Sequence, residues 1–208
     1  MKTKKEIFGI ILLPLIAIFM FGIFQFIAFI VGKETMFEGK NLAWYLGFII
    51  YWPLCCILIP IKLIGKKKII DLYRKSKVKV IILIFALIPI LLTLIGATFM
   101  EYDKVSVLGK LILLLMVFGN GIFEEVLWRG VYIELFPNNI FFGVIWPTIW
   151  FAIWHLAPGF VSGTFNPILL MSGAFFFGLC WSIVSWKSNS IRFSTFSHIL
   201  TGLVRVFI

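Results

Sequence analysis

Residues 111–135 read LILLLMVFGNGIFEEVLWRGVYIEL, and the fold is decided there. As a helix, the run is long enough to cross a bilayer core, which takes about 20 apolar residues. Strands would leave backbone groups unpaired in hydrocarbon, so helix is the economical conformation. Yet Glu124, Glu125 and Arg129 lie inside the run. Each such residue costs about 2.5–3.5 kcal/mol at the centre of a span. Three left unpaired would cost on the order of 8–10 kcal/mol. Glu125 and Arg129 are four apart, on one helical face, and can pair. Glu124 lies about 100° round the helix. The spacing therefore suggests that Glu125 with Arg129 steadies the helix while Glu124 is left for chemistry. The plain alternative is that all three lock helices together or line a watery cleft.

Working outward, further apolar runs fall at 7–31, 42–61, 80–100, 140–156, 167–186 and 190–207. The run at 140–156 is short for a span and the last is marginal. Hydrophobic residues make up 62% of the chain and charged ones 13%, against about 45–50% and 25% in soluble domains. A soluble fold of 208 residues could not hide so much apolar surface. The expectation is an all-α integral membrane protein of about seven transmembrane helices (six to eight), forming one membrane domain over residues 1–208. Pro14, Pro53, Pro60, Pro89 and Pro147 lie in these runs and predict kinks. Residues 1–100 hold no acid or histidine inside an apolar run and read as scaffold helices. The polar site is expected in the C-terminal half.

The net charge of +10 does not point to nucleic acid, because of where the charges lie. Thirteen of the nineteen Lys and Arg fall at the N-terminus, in residues 62–79, and at Lys187 and Arg192. If each run crosses once, these stretches share one side, and the positive-inside rule makes that side the cytoplasm. The expectation is a multi-pass protein of the cell membrane, its N-terminus and loop 62–79 cytoplasmic. Basic residues there suit anionic lipid. The segment GKKKIIDLYRKSKVK at 65–79 reads as a short surface helix. Seven other acids (Glu6, Glu34, Glu38, Asp71, Glu101, Asp103 and Glu134) lie in tails, loops or near span ends. Cys55, Cys56 and Cys180 sit in apolar runs without metal-ligand spacing and read as small buried side chains.

Both histidines of the chain, His155 and His198, lie in apolar runs of the same half as the paired glutamates. A lone intramembrane histidine is more often a packing residue than a ligand; two of two, beside buried acids, suggest a shared cavity. A carboxylate with two imidazoles can activate water as a general base. Alternatively, the three can hold a zinc ion that acidifies its water. Both chemistries are hydrolytic. No HExxH, GxSxG, glycine-rich phosphate loop or CxxC occurs, and no acid follows Ser194, Thr195 and Ser197 to complete a triad with His198.

These residues together resemble the CPBP family (CAAX proteases and bacteriocin-processing or self-immunity proteins, also called Abi proteins), which are intramembrane endopeptidases. Its motif of two glutamates, three residues and arginine matches Glu124, Glu125 and Arg129, followed by Gly130. Its phenylalanine, three residues and histidine match Phe151 and His155, and its last histidine matches His198. The likeness covers about residues 110–205, the catalytic core of the family. It implies Glu124 as general base with His155 assisting, His198 on the tetrahedral oxyanion, Glu125 with Arg129 organising the site, and Phe151 packed beside His155. It implies either a metal-free glutamate mechanism or a zinc on Glu124, His155 and His198. No other cofactor is indicated. One position departs from the family, which has asparagine or another polar residue four after the last histidine. Here that residue is Gly202, preceded by Thr201. The missing donor slows catalysis, or is replaced by Thr201 or Asn189, or marks a chain that no longer cleaves and acts by binding a partner or bacteriocin. A small proton or cation transporter is the third reading. The substrate implied is a peptide or membrane-protein tail, such as a bacteriocin precursor or signalling peptide. Abundant Lys, Ile and Phe suggest an AT-rich bacterium as source.

Overall fold

The computed structural model describes residues 3–32, 35–37, 40–74, 79–98, 106–162 and 166–207. In chain order come α1 (Lys4–Val31), the paired segments β1 (Thr35–Phe37) and β2 (Lys40–Asn41), and α2 (Leu42–Ile64). Then follow α3 (Lys66–Arg74), α4 (Val80–Ala97), α5 (Val107–Leu135), α6 (Phe141–Ser162), α7 (Pro167–Ser188) and α8 (Arg192–Phe207). Six of these, α1, α2, α4, α5, α6 and α7, are long and apolar enough to cross a membrane. The chain is an all-α, multi-pass membrane protein. α8, with 16 residues, stays below span length, as its marginal run predicts. α6 reaches further than its apolar run. The backbone makes a tight turn at His155, whose N–H donates to the Ala152 carbonyl, and winds on to Ser162. Pro158 is tolerated because it opens the new turn, where no N–H partner is needed.

Side chains sort by solvent. Leu13, Met20, Phe24, Tyr51, Leu127, Trp128 and Trp154 are buried in one apolar core joining α1, α2, α5 and α6. Ile18, Phe29, Leu115 and Leu169 are 68%, 87%, 70% and 72% exposed. So large an apolar outer surface is stable only against lipid.

One end of the bundle gathers the basic segments. Lys5 Nζ donates to the Leu63 carbonyl at 3.1 Å, and Lys68 pairs with Glu134 at 2.6 Å. The Leu72 carbonyl accepts from Ile191 N at 3.1 Å and from Ser190 Oγ at 2.7 Å. The N-terminus, the end of α2, the surface helix α3 and the α7–α8 junction thus meet on one side, as the charge pattern predicts. At the opposite end the Asn41 amide donates to the Val161 carbonyl. Four acids expected in loops there, Glu34, Glu38, Glu101 and Asp103, lie outside the described residues.

Three spans change register along their length. Wide, i→i+5 turns run over Trp52–Leu58, Phe141–Ile145 and, within α5, over Asn120–Glu124 and Val126–Gly130. The first two adjoin Pro53 and Pro147, whose missing N–H breaks the ordinary ladder. Those in α5 contain no proline and flank the acidic pair. Widened turns of this kind are frequent at functional sites, because they rotate side chains out of the regular helical positions.

Candidate active site

The widened part of α5 carries Glu124, Glu125 and Arg129, all buried. Arg129 Nη1 stands 3.1 Å from Glu125 Oε1 as an ion pair, and Nη2 donates to the Gly178 carbonyl of α7 at 3.2 Å. Arg129 Nε has no hydrogen-bond partner among the described residues. Instead the guanidinium lies over the Phe151 ring, 4.1 Å from its centre, an arrangement favoured by the ring's negative face. The approach requires a glycine on α7. A Cβ at Gly178 would stand 2.8 Å from Phe151 Cδ1 and 3.0 Å from Arg129 Nη2. One guanidinium thereby ties α5, α6 and α7 together.

Glu124 faces a different set of partners. Trp154 Nε1 donates to its Oε1 at 3.3 Å. Trp154 stacks on Tyr51 of α2 with centroids 4.0 Å apart, and Trp128 Nε1 donates to the Tyr51 hydroxyl at 2.6 Å. Aromatic N–H and O–H groups therefore hold the carboxylate in place, and the front half of the chain reaches the site through Tyr51.

Both imidazoles have their orientation set by an acceptor. His155 Nδ1 is 2.7 Å from the Phe151 carbonyl. A carbonyl only accepts, so Nδ1 carries the proton and Nε2 is the bare nitrogen. His198 Nδ1 is 3.1 Å from Glu125 Oε1, an acceptor for its proton. His198 Nε2 then stands 4.0 Å from Glu124 Oε2. The His198 ring stacks on Trp181 at 3.9 Å and 16°, and Phe151 meets His155 edge-on at 4.5 Å. Glu125 is thus shared between Arg129 and His198.

A cavity of about 450 Å³ opens beside these groups, lined by both histidines, Asn120, Phe151, Trp181, Thr201 and Gly202, with apolar side chains of α5 to α8 around them. Thr201 lines it, but its hydroxyl donates to the Ser197 carbonyl at 2.8 Å. Asn189 is elsewhere, capping α7 with φ 52°. Neither residue named as a replacement donor for position 202 presents a free N–H or O–H there. Gly202 itself is closely covered: a Cβ would fall 2.8 Å from Val117 Cγ1 and 2.9 Å from Cγ2. Asparagine there would have to displace the Val117 side chain of α5.

The structure therefore brings together Glu124, Glu125, Arg129, Phe151, His155 and His198. Among the described residues no three His, Cys, Asp or Glu side chains converge closely enough to hold a metal ion. As arranged here, Glu124, His155 and His198 do not fit the zinc alternative, although both Nε2 atoms are of the kind that ligates metals. Trp154, Trp181, Tyr51 and Gly178 were not singled out by sequence reasoning. They are ordinary members of apolar runs in a chain that is 18% aromatic. The adjacency of Trp154 to His155 is the one sequence signal that points to any of them.

Residues 106–204 match the family model described as Type II CAAX prenyl endopeptidase Rce1-like. No curated protein and no solved structure matches the chain. The match spans α5 to α8, which carry Glu124, Glu125, Arg129, His155 and His198; Tyr51 of α2 lies outside it. Residues 106–204, just under half of the chain, are therefore similar to the Rce1-like Type II CAAX prenyl endopeptidases.

Proposed function

We propose that the chain hydrolyses a peptide bond inside the membrane with water activated by Glu124. The supporting observation is the 4.0 Å gap between Glu124 Oε2 and His198 Nε2, beside a cavity that His155 also lines. A carboxylate oxygen and a ring nitrogen facing each other at that distance call for a proton or a bridging water between them. Water held there would lose a proton to Glu124 while its oxygen bonds to the scissile carbonyl carbon. The carbonyl π electrons move onto oxygen, giving a tetrahedral oxyanion. Its collapse breaks the C–N bond, and the proton taken by Glu124 passes to the departing amine. His155, on the same cavity wall, is the assisting imidazole that keeps this water in place. Glu125 and Arg129 touch no substrate in this scheme. They are positioning residues, holding His198 and fixing α5 against α6 and α7.

The apolar lining suits a hydrophobic peptide or the tail of a membrane protein, and processing of a bacteriocin or signalling peptide is the role we assign. In this reading the basic end faces the cytoplasm, by the positive-inside rule, and the cell is bacterial. The test is chemical. Glu124→Gln and His155→Ala should each abolish cleavage while leaving the protein inserted and folded. Full biological activity in Glu124→Gln would remove catalysis from the account.

A further inference from the structure

The oxyanion of that reaction needs donors, and where the family carries a polar residue, four after its last histidine, this chain has Gly202. His198 Nδ1 is directed at Glu125. Thr201 spends its hydroxyl proton on its own helix. Two asparagines also line the cavity, Asn120 and Asn166; Asn166 is exposed and caps α7, whereas Asn120 opens the widened turn of α5 that ends at Glu124. Its amide orientation is determined by chemistry. Trp52 Nε1 lies 3.1 Å from Asn120 Oδ1, and an indole N–H can only donate. The oxygen end is therefore turned to Trp52, and the NH2 end is the one left for the cavity. Its neighbour, Gly121, lets α8 come close. A Cβ there would collide with Ile199 Cγ1 and stand 3.2 Å from Ile199 N. Asn120 and His198, each adjacent to this crossing, are thereby brought to one wall of the cavity.

Resting on the proteolytic reading of this site, we infer that the Asn120 side-chain amide is an oxyanion donor, a catalytic residue on α5 that stands in for the one α8 lacks at Gly202. In the tetrahedral step it donates Nδ2–H to the carbonyl oxygen as negative charge develops. It transfers no proton and needs none returned. Trp52 acts on it as a positioning residue, holding the amide plane before substrate arrives, which is what makes such a donor effective.

The experiment follows new peptide N-termini over time in membranes and medium of cells producing the full chain as wild type, Glu124→Gln, Asn120→Asp or Asn120→Ala, at matched membrane abundance. Alongside, Glu124→Gln and the Glu124→Gln/Asn120→Asp double variant are purified in detergent and their co-purifying uncleaved peptide is identified. Asp keeps the size and the acceptor for Trp52 but removes the donor. The inference predicts that both Asn120 variants slow wild-type-dependent cleavage about 10²- to 10³-fold, the loss typical of one oxyanion donor, and that the double variant still captures the precursor. Cleavage within about threefold of wild type, with Glu124→Gln silent, overturns the inference and leaves the protease reading standing. Slow cleavage together with lost capture also overturns it, since Asn120 would then serve structure or binding. No wild-type-dependent terminus at all overturns both.

Discussion

Replacing Arg129 by methionine should be among the most damaging single changes in the chain. Methionine keeps most of the aliphatic volume, so the loss reports on charge and hydrogen bonding rather than packing. The residue removed is buried, pairs with Glu125 at 3.1 Å, donates to the Gly178 carbonyl and covers the Phe151 ring. Taking away one partner of a buried ion pair costs about 3–5 kcal/mol, because the other charge is left uncompensated. Total stabilities run about 5–15 kcal/mol, so this is a large share. At about 2–4 °C per kcal/mol for a chain of this size, the melting midpoint should fall by roughly 6–20 °C. Removing the stranded acid should then help. In Glu125→Leu/Arg129→Met the pair is replaced by apolar groups, a change that is often neutral or better, and at least half of the lost stability should return. Thermal unfolding in mild detergent, followed by tryptophan fluorescence, measures both. An Arg129→Met midpoint within about 2 °C of wild type would refute the pairing argument, as would a double variant less stable than Arg129→Met alone.

Other outcomes follow from the same geometry. Gly202→Asn should destabilise the protein by about 1–3 kcal/mol, the usual cost of forcing atoms into a filled contact, because its Cβ meets both Val117 methyl groups. Val117→Ala in the same chain should restore much of the loss, whereas equal melting of Gly202→Asn and wild type would show that α5 and α8 have room to part there. Tyr73 of α3 has its phenol pushed up to about 12, chiefly by burial. A group held neutral in the folded state contributes stability that is complete below its ordinary pKa of about 10 and lost as pH rises toward 12. Tyr73→Phe should therefore lose less stability than wild type between those values, and parallel unfolding curves across that range would contradict the burial of the phenol.

The site was legible in the sequence to the extent that charge in a membrane is costly. Glu124, Glu125, Arg129 and the two histidines stand out because nothing else explains ionisable groups in apolar runs, and the (i, i+4) spacing named the Glu125–Arg129 pair correctly. Aromatic partners carry no such mark. Trp154 and Trp181 look like the other tryptophans until the fold sets one against Glu124 and the other under His198. Widened turns have no composition of their own, so the register of α5 around the acids could not be read. The span at 141–162 was underestimated because Pro158 and Gly159 resemble a helix end. Only the tight turn at His155 shows how proline can begin a new helical turn there. The crossing that closes over Gly202 depends on Val117, 85 positions away in the chain, a relation that no local pattern encodes.

Peptide N-termini compared between cells carrying wild type and cells carrying Glu124→Gln, at equal abundance of folded protein, test the central claim most directly. The account predicts termini that appear only with wild type, arising from cuts within or beside apolar segments of one or a few peptides or membrane proteins. Identical profiles from the two strains, with the variant still performing the biological role of wild type, would contradict it and leave a binding protein built on a protease fold.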